Sequence, residues 1–158
     1  MFKIFFIVYD KNLKNSVKRE LEKDYVDTDR LFMFITIFQW FLVSTVSGAN
    51  YGLYMMGFIG GGFATLLSFF SYKYYQGTWI CRTVMGANCA VFTVLYITQN
   101  LGMIEAHFPY FIIIGLLLRY KDMLPLIVNT GIIVIHHFLF TYLQEINGLS
   151  GNLRGKKI

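Results

Sequence analysis

The amino-acid sequence predicts an all-α integral membrane protein, a bundle of about five transmembrane helices preceded by an amphipathic juxtamembrane helix. Two observations predict this fold class. Of the 158 residues, 56% are apolar and only 15% are charged. The charges are also confined to a few short stretches, and long uncharged runs separate them. A bilayer selects this distribution because an unpaired charge in hydrocarbon is costly.

The placement of the charges divides the chain into three parts. Residues 1–30 form a basic N-terminal segment, residues 31–145 contain the apolar runs, and residues 146–158 form a polar tail. We predict a cytoplasmic segment, a transmembrane bundle and a short tail for these parts. A chain of 158 residues is one domain on length alone, so the helices are expected to share one bundle.

The uncharged runs predict the individual helices. The first run, residues 31–72, is about twice the roughly 20 residues that cross a bilayer, so it must cross twice. A turn is predicted at residues 47–51, where small and polar residues interrupt the apolar pattern. The runs at residues 83–104 and 123–144 are each long enough to span. The run at residues 106–118 is short, so it either extends through its flanks or forms a re-entrant segment.

Glycine and cysteine patterns inside these runs are assigned to packing. The glycine-rich stretch at residues 57–62 follows no strand and lies in mid-membrane, which favours close helix packing over a phosphate loop. Cys81 and Cys89 are eight residues apart and match no CxxC motif. We predict two buried thiols.

The N-terminal segment predicts a helix at the membrane surface. Leu13, Val17 and Leu21 are four residues apart and basic residues lie between them, which is the pattern of a surface-lying amphipathic helix. The basic residues suit anionic headgroups of the lipid bilayer. The acidic residues among them disfavour a nucleic-acid partner.

Lysine and arginine residues predict the orientation in the membrane. Residues 1–30 hold seven of them, and the regions near Lys73 and Arg119 hold two each. The loops predicted at residues 47–51 and 101–107 hold none. The positive-inside rule therefore places the N-terminus in the cytoplasm, and five crossings leave the C-terminus outside. The basic residues of the tail favour the opposite side for that end.

Ionisable side chains within the apolar runs are the candidate functional residues, because burying them without a partner costs several kcal/mol. The candidates for binding a ligand or a metal ion are Glu105, His107, His136 and His137. Residues that could support them at a similar depth are Gln39, Gln99 and Asn100. Imidazoles and a carboxylate in an apolar surround could ligate a metal ion or haem, or relay protons. No particular cofactor follows from the residues.

An alternative interpretation needs no site. Glu105 and His107 can be interfacial, while one of the adjacent histidines packs and the other forms a hydrogen bond with a neighbouring helix. Successive residues on a helix point about 100° apart, so His136 and His137 do not easily face one point. Both interpretations are compatible with the spacing.

The sequence resembles the membrane-embedded N-terminal sensor region of methyl-accepting chemotaxis proteins, which is also found in related histidine kinases and diguanylate cyclases. The resemblance is carried by Asp-Arg-Leu-Phe at residues 29–32, Gln39 with Trp40, Gly-Met-Ile-Glu-Ala-His-Phe at 102–108, Arg-Tyr-Lys-Asp at 119–122, Ile-His-His-Phe at 135–138 and Leu-Gln at 143–144. It implies a non-enzymatic input module in a bacterial inner membrane. Such a module senses a small ligand, a metal or a redox cue and acts through a cytoplasmic signalling protein or a homo-oligomer.

Two departures from that pattern bear on a metal or haem site. Members of the family often carry His two residues after the position of His107, where this chain has Pro109. They also often carry His at the position of Thr83. The resemblance further implies a sixth span and a cytoplasmic region after Ile158. The sequence is therefore expected to be a stand-alone sensor-like module, a partner-dependent receptor subunit or a fragment of a longer reading frame.

Two functions of other classes remain open at this point. The Glu/His cluster could serve a small transporter or a proton or ion relay. It could also hold haem or copper in a membrane redox subunit.

Overall fold

The computed structural model describes residues 14–154, and it describes side chains for residues 14–146. Residues 1–13 of the predicted N-terminal segment, and most side chains of the predicted tail, lie outside these residues. The described part is all-helical and contains no strand. Its elements are α1 Asn15–Ser44, α2 Val46–Tyr51, α3 Tyr54–Tyr75, α4 Trp79–Gln99, a 3₁₀ helix Ile104–His107, α5 Phe108–Leu117, a 3₁₀ helix Leu118–Tyr120 and α6 Met123–Arg154.

Four helical segments are long and apolar enough to cross a membrane. Among the described residues they are Asn15–Tyr51, Tyr54–Tyr75, Trp79–Gln99 and Met123–Ile146. Many of their large apolar side chains face outward, as lipid contact requires. The prediction of a helical bundle with several apolar helices is confirmed.

Helix α1 differs from the predicted division at residue 30. It continues without a break from Asn15 to Ser44 over 30 residues, so the predicted amphipathic segment forms its first turns rather than a separate helix. The physical reason is that no glycine or proline interrupts this stretch. The polar first turns and the apolar span therefore belong to one continuous helix.

The reversal between α1 and α3 also differs from the prediction. Residues 47–51, which were predicted to turn, belong to the short helix α2. The chain turns on either side of it, at Thr45 and at Gly52. Thr45 donates its hydroxyl to the Phe41 carbonyl at 2.6 Å. Gly52 ends α2 with φ 72°, a left-handed conformation that glycine adopts without a Cβ penalty.

Helix α4 is the centre of the bundle. It contacts every other α-helix in the described part of the chain. Its buried side chains include Cys81, Met85, Cys89 and Phe92, so the prediction of two buried thiols is confirmed. The other helices surround α4 and bury much of its surface.

Glycines permit the closest helix contacts, as the sequence predicts for residues 57–62. A Cβ atom at Gly57 would collide with the Val43 carbonyl oxygen of α1. A Cβ atom at Gly86 would lie 2.5 Å from the Pro125 carbonyl oxygen and 2.9 Å from its Cα. These contacts hold α3 against α1 and α6 against α4 at backbone distance.

Residues 104–120 return the chain from the end of α4 to the start of α6. Two 3₁₀ helices flank the 10 residues of α5. Because a 3₁₀ helix rises about 2.0 Å per residue and an α-helix about 1.5 Å, this segment covers roughly 29 Å. It returns along the bundle, so α4 and α6 run in the same direction.

The side chains of the second half of α6 are mostly exposed. Ile133 is buried against the other helices. From residue 134 to residue 146, every side chain is exposed except the half-buried His136. Most of these exposed side chains are apolar.

Candidate functional site

The three histidines of the chain lie together at one end of the bundle, which we call the histidine end. His107 comes from the 3₁₀ helix before α5, and His136 and His137 are adjacent on α6. The rings of His107 and His137 stack, with centroids 5.9 Å apart and planes inclined by 17°. The rings of His136 and His137 meet edge to face, with centroids 5.8 Å apart. His137 therefore has an imidazole neighbour on each side.

These rings line a half-open cavity of about 400 Å³ between the ends of α4 and α6. Thr98 of α4 and Gly102 of the following turn form one side of it, and Thr141 and Gln144 of α6 form the other. The volume lies within the range of roughly 300 to 1,000 Å³ that is typical of small-molecule sites. The cavity combines apolar walls with hydroxyl, amide and imidazole groups.

The hydrogen bond of His107 indicates which of its nitrogens carries the proton. Its Nδ1 lies 3.0 Å from the Met103 carbonyl oxygen. A carbonyl oxygen only accepts hydrogen bonds, so Nδ1 carries the proton. In the neutral ring, Nε2 then keeps its lone pair and can accept a hydrogen bond from a bound molecule.

Glu105 does not share this arrangement. Its side chain is exposed and is not part of the cavity wall. Among the described residues, no three side chains of His, Cys, Asp or Glu are grouped so that they could hold a metal ion. Stacked imidazoles do not direct their nitrogens at one point, so the geometry gives no support to a metal at the histidines.

Gln99 and Asn100 form their hydrogen bonds on the other side of α4. Gln99 Nε2 donates to the carbonyl oxygens of Val43 at 2.8 Å and of Leu53 at 3.1 Å. Asn100 Nδ2 donates to the Ser47 hydroxyl at 3.0 Å. These two amides fasten the end of α4 to the connection between α1 and α3. They support the cavity by holding one of its walls and not by facing the histidines.

Gln39 is also remote from the histidines. It lies on α1, in a separate crevice that α1, α4 and α5 enclose. Of the seven residues singled out in the sequence, the structure therefore brings together only His107, His136 and His137.

The opposite end of the bundle holds a buried ionic cluster that the sequence analysis did not predict. Arg82 Nε lies 2.7 Å from an Asp122 carboxylate oxygen, and the side chains are 2% and 0% exposed. Asp29 is also buried and accepts hydrogen bonds from the Tyr120 hydroxyl at 2.8 Å and the Gly77 N–H at 2.7 Å. We call this region the Arg82 end. Its cluster joins α1, α4, the 3₁₀ helix before α6 and the start of α6.

Two further contacts extend this ionic cluster. The Arg82 guanidinium lies over the Tyr25 ring, 4.3 Å from its centroid. The second carboxylate oxygen of Asp122 accepts the Leu124 N–H at 3.1 Å and so caps the start of α6. One signal in the sequence points to this cluster. An arginine in an apolar helix must have a partner, and Asp29 and Asp122 border neighbouring apolar runs.

The histidine end and the Arg82 end are built on the same two helices. Helix α6 begins at the cap formed by Asp122 and carries His136 fourteen residues later, about 21 Å along the helix. Helix α4 carries Arg82 near its start and Thr98 near its end. Between the two ends, Asn129 Nδ2 donates to the Gly86 carbonyl at 3.0 Å. The two ends are therefore connected by the same pair of packed helices.

The segments that carry the resemblance to chemotaxis sensors meet in pairs. Phe32 stacks on Tyr120 with centroids 5.0 Å apart, which joins residues 29–32 to residues 119–122. The histidine rings join residues 102–108 to residues 135–138. No family model, curated protein or solved structure matches the chain. The resemblance therefore stays a prediction.

Proposed function

We propose that this chain is a multi-pass membrane module for signal input, which binds a small ligand in the histidine cavity and acts through a partner. The observation that supports this proposal is the convergence of His107, His136 and His137 on one half-open cavity of about 400 Å³. A cavity with apolar walls and a few directed polar groups is the usual form of a small-molecule site. The proposal gives the chain no catalytic role.

The membrane arrangement in this proposal has five crossings, with the Arg82 end on the cytoplasmic side of a bacterial inner membrane. Segment 104–120 supports the fifth crossing because its length of roughly 29 Å is close to the hydrocarbon thickness of about 30 Å. The positive-inside rule supports the orientation. Lys73, Arg119 and Lys121 lie at the Arg82 end, as do the basic first turns of α1.

Helix α6 is the element that would pass the signal. It carries two of the histidines, and Asp122 at its start belongs to the ionic cluster. A ligand that binds between α4 and α6 shifts their relative position only if it prefers one arrangement of the two helices. The ionic cluster would then change at the cytoplasmic surface, where a signalling protein or a second copy of the chain can respond.

The experiment measures binding at one end and a response at the other. The chain contains two tryptophans, and Trp79 lies three residues before Arg82. In a Trp40→Phe background, the emission of Trp79 reports on the Arg82 end alone. The protein is purified in lipid nanodiscs and exposed to acetate, succinate, ethanolamine and Zn²⁺. We expect at least one of these probes to raise the melting temperature and to shift the Trp79 emission.

Two variants decide the interpretation. His137→Leu should abolish both effects, because it removes the central imidazole of the cavity. Val134→Leu, at an exposed position of the same helix outside the cavity, should leave both unchanged. Stabilisation that survives His137→Leu would place the ligand elsewhere. Stabilisation without a change in Trp79 emission would make the chain a binding protein without signal transfer.

A further inference from the structure

A second and smaller crevice lies between α1 and α5, with α4 as its floor. Its volume is about 150 Å³, and it shares no lining residue with the histidine cavity. Most of its wall is apolar and is formed by Leu42, Val43, Val46, Phe92 and Pro109. Three residues with polar groups, Gln39, Thr93 and Tyr96, also line it.

The buried polar atoms of the crevice include an unpaired hydrogen-bond acceptor. The side-chain oxygen Oε1 of Gln39 is buried and has no hydrogen-bond partner in the described part of the chain. The Thr93 hydroxyl donates its proton to the Cys89 carbonyl at 3.0 Å, so it offers lone pairs to the crevice. A buried acceptor without a donor is unfavourable, and more so where lipid replaces water. A hydrogen-bond donor that enters the crevice would therefore stabilise the buried Gln39 oxygen.

The crevice opens at the outer surface of the bundle, where the proposed membrane arrangement places lipid. Helices α1 and α5 each pack on α4 but hardly on each other, which leaves a lateral gap between them. Val46, at the edge of this gap, is 59% exposed. Gln39 lies five residues before the end of α1, about 7.5 Å along the helix axis. A molecule dissolved in one leaflet can therefore reach Gln39 without crossing water.

The volume limits what can enter. At about 150 Å³ the crevice is smaller than the roughly 300 Å³ at the lower limit of drug-sized sites, and several times larger than the share of about 30 Å³ of one water molecule. It fits one end of an amphiphile, whose remaining part lies between lipid chains. A water molecule could satisfy Gln39 but would leave the apolar wall without contacts.

We propose that this crevice binds the hydroxyl end of a lipid-soluble alcohol or phenol, which donates a hydrogen bond to Gln39 Oε1. The hydroxyl proton supplies the missing donor, and the apolar body explains both the apolar wall and the lateral opening. The site is independent of the histidine cavity, so it stands whether or not that cavity binds a signal.

The test uses a photoreactive analogue of dodecan-1-ol that carries a diazirine close to the hydroxyl. The full chain in nanodiscs is irradiated with this probe, and labelled residues are mapped by mass spectrometry. We expect labelling at Leu42 and Phe92. Dodecan-1-ol should compete at least about fivefold better than 1-methoxydodecane, which lacks the donor, since one net hydrogen bond is worth about 1 kcal/mol.

Two variants distinguish the contribution of the hydrogen bond to probe binding from the contribution of the crevice shape. Gln39→Leu should lower labelling by about three- to tenfold and should not lower the melting temperature without the probe, because it removes an unpaired acceptor. Val46→Trp should block the opening at an exposed position and abolish labelling. Gln144→Leu is the control, since this amide lines the other cavity. Equal competition by the ether, or unchanged labelling of Gln39→Leu, would overturn the proposal and indicate a crevice that holds water only.

Discussion

The buried pair of Arg82 and Asp122 allows a quantitative test of what holds the bundle together. The change is Asp122→Asn. An asparagine keeps a carbonyl oxygen that can accept the Leu124 N–H, so the cap of α6 is retained. The variant therefore removes the charge of the partner and little else. Because Arg82 stays charged and is 2% exposed, its guanidinium is left in the interior with its nearest counter-ion removed.

The expected loss in the free energy of unfolding follows from the burial of both partners. Removing one member of a buried ion pair costs about 3 to 5 kcal/mol, against about 0 to 1 kcal/mol for an exposed pair. Asp29 also attracts Arg82, which compensates part of the loss in Asp122→Asn. Arg82→Met removes the only counter-ion that the two aspartates share in this cluster. We therefore expect Arg82→Met to be the more destabilising single variant.

The assay is unfolding of the purified protein in mixed micelles by increasing sodium dodecyl sulfate, followed by circular dichroism. The double variant Arg82→Met/Asp122→Asn has no charge at either position and should be less destabilised than the two single losses added together. Losses below about 1 kcal/mol for both single variants would refute the reasoning, because the pair would then behave as a solvated one. Strict additivity in the double variant would refute it equally.

Three further predictions concern the membrane, the helix contacts and the cavity. The chain should remain in the membrane fraction after a carbonate wash, and recovery in the aqueous fraction would contradict a membrane bundle. Gly86→Ala should destabilise the fold by about 1 to 3 kcal/mol in the same unfolding assay, because its Cβ would meet the Pro125 backbone. Gly131→Ala, with open space around it, should be neutral or stabilising by up to about 1 kcal/mol. His107→Ala and His137→Ala should be non-additive by about 0.5 kcal/mol or more, since their rings stack. Independent effects would indicate that the two rings act separately.

The apolar runs were sufficient to predict helices, because length and lack of charge are local properties of the sequence. The run at residues 123–144 corresponds to the larger part of α6, and the run at residues 83–104 corresponds to most of α4. The predicted helix bounds differ from the observed ones where two local sequence signals disagree. Charged residues up to residue 30 predict a surface helix separate from the first span, but they are tolerated within a helix and do not end α1. Small residues suggested a turn at residues 47–51, but only Gly52 adopts a left-handed backbone there.

The candidate site was only partly predictable because it depends on contacts between distant segments. The cost of an imidazole in an apolar run is a property of the residue, so the histidines could be selected from the sequence. Which of them meet depends on the return of segment 104–120 along α6. His136 and His137 are adjacent on α6 and both line the cavity, and His107 approaches from another element and stacks on His137.

The ionic cluster was missed for a related reason. Asp29 and Tyr120 are 91 residues apart in sequence, and Arg82 looked like one of the basic residues that border an apolar run. Positive charges near a membrane surface are normally solvated. Composition alone therefore does not distinguish an arginine that follows the positive-inside rule at the surface from one that is buried. Only the packing of α4 inside the other helices places Arg82 out of contact with water.

The hydrogen bonds of Asp29 hold α1 to its neighbours near the centre of the helix. Asp29 is the fifteenth of the 30 residues of α1, and it is bonded to Gly77 and Tyr120. A helix of that length measures about 45 Å, so each arm is roughly 22 Å long. A rotation of the whole helix by about 5° around Asp29 would move its two ends by about 2 Å in opposite directions. A tilt of α1 about Asp29 would therefore move its charged end beyond the Arg82 end and its far end beside α2 in opposite directions.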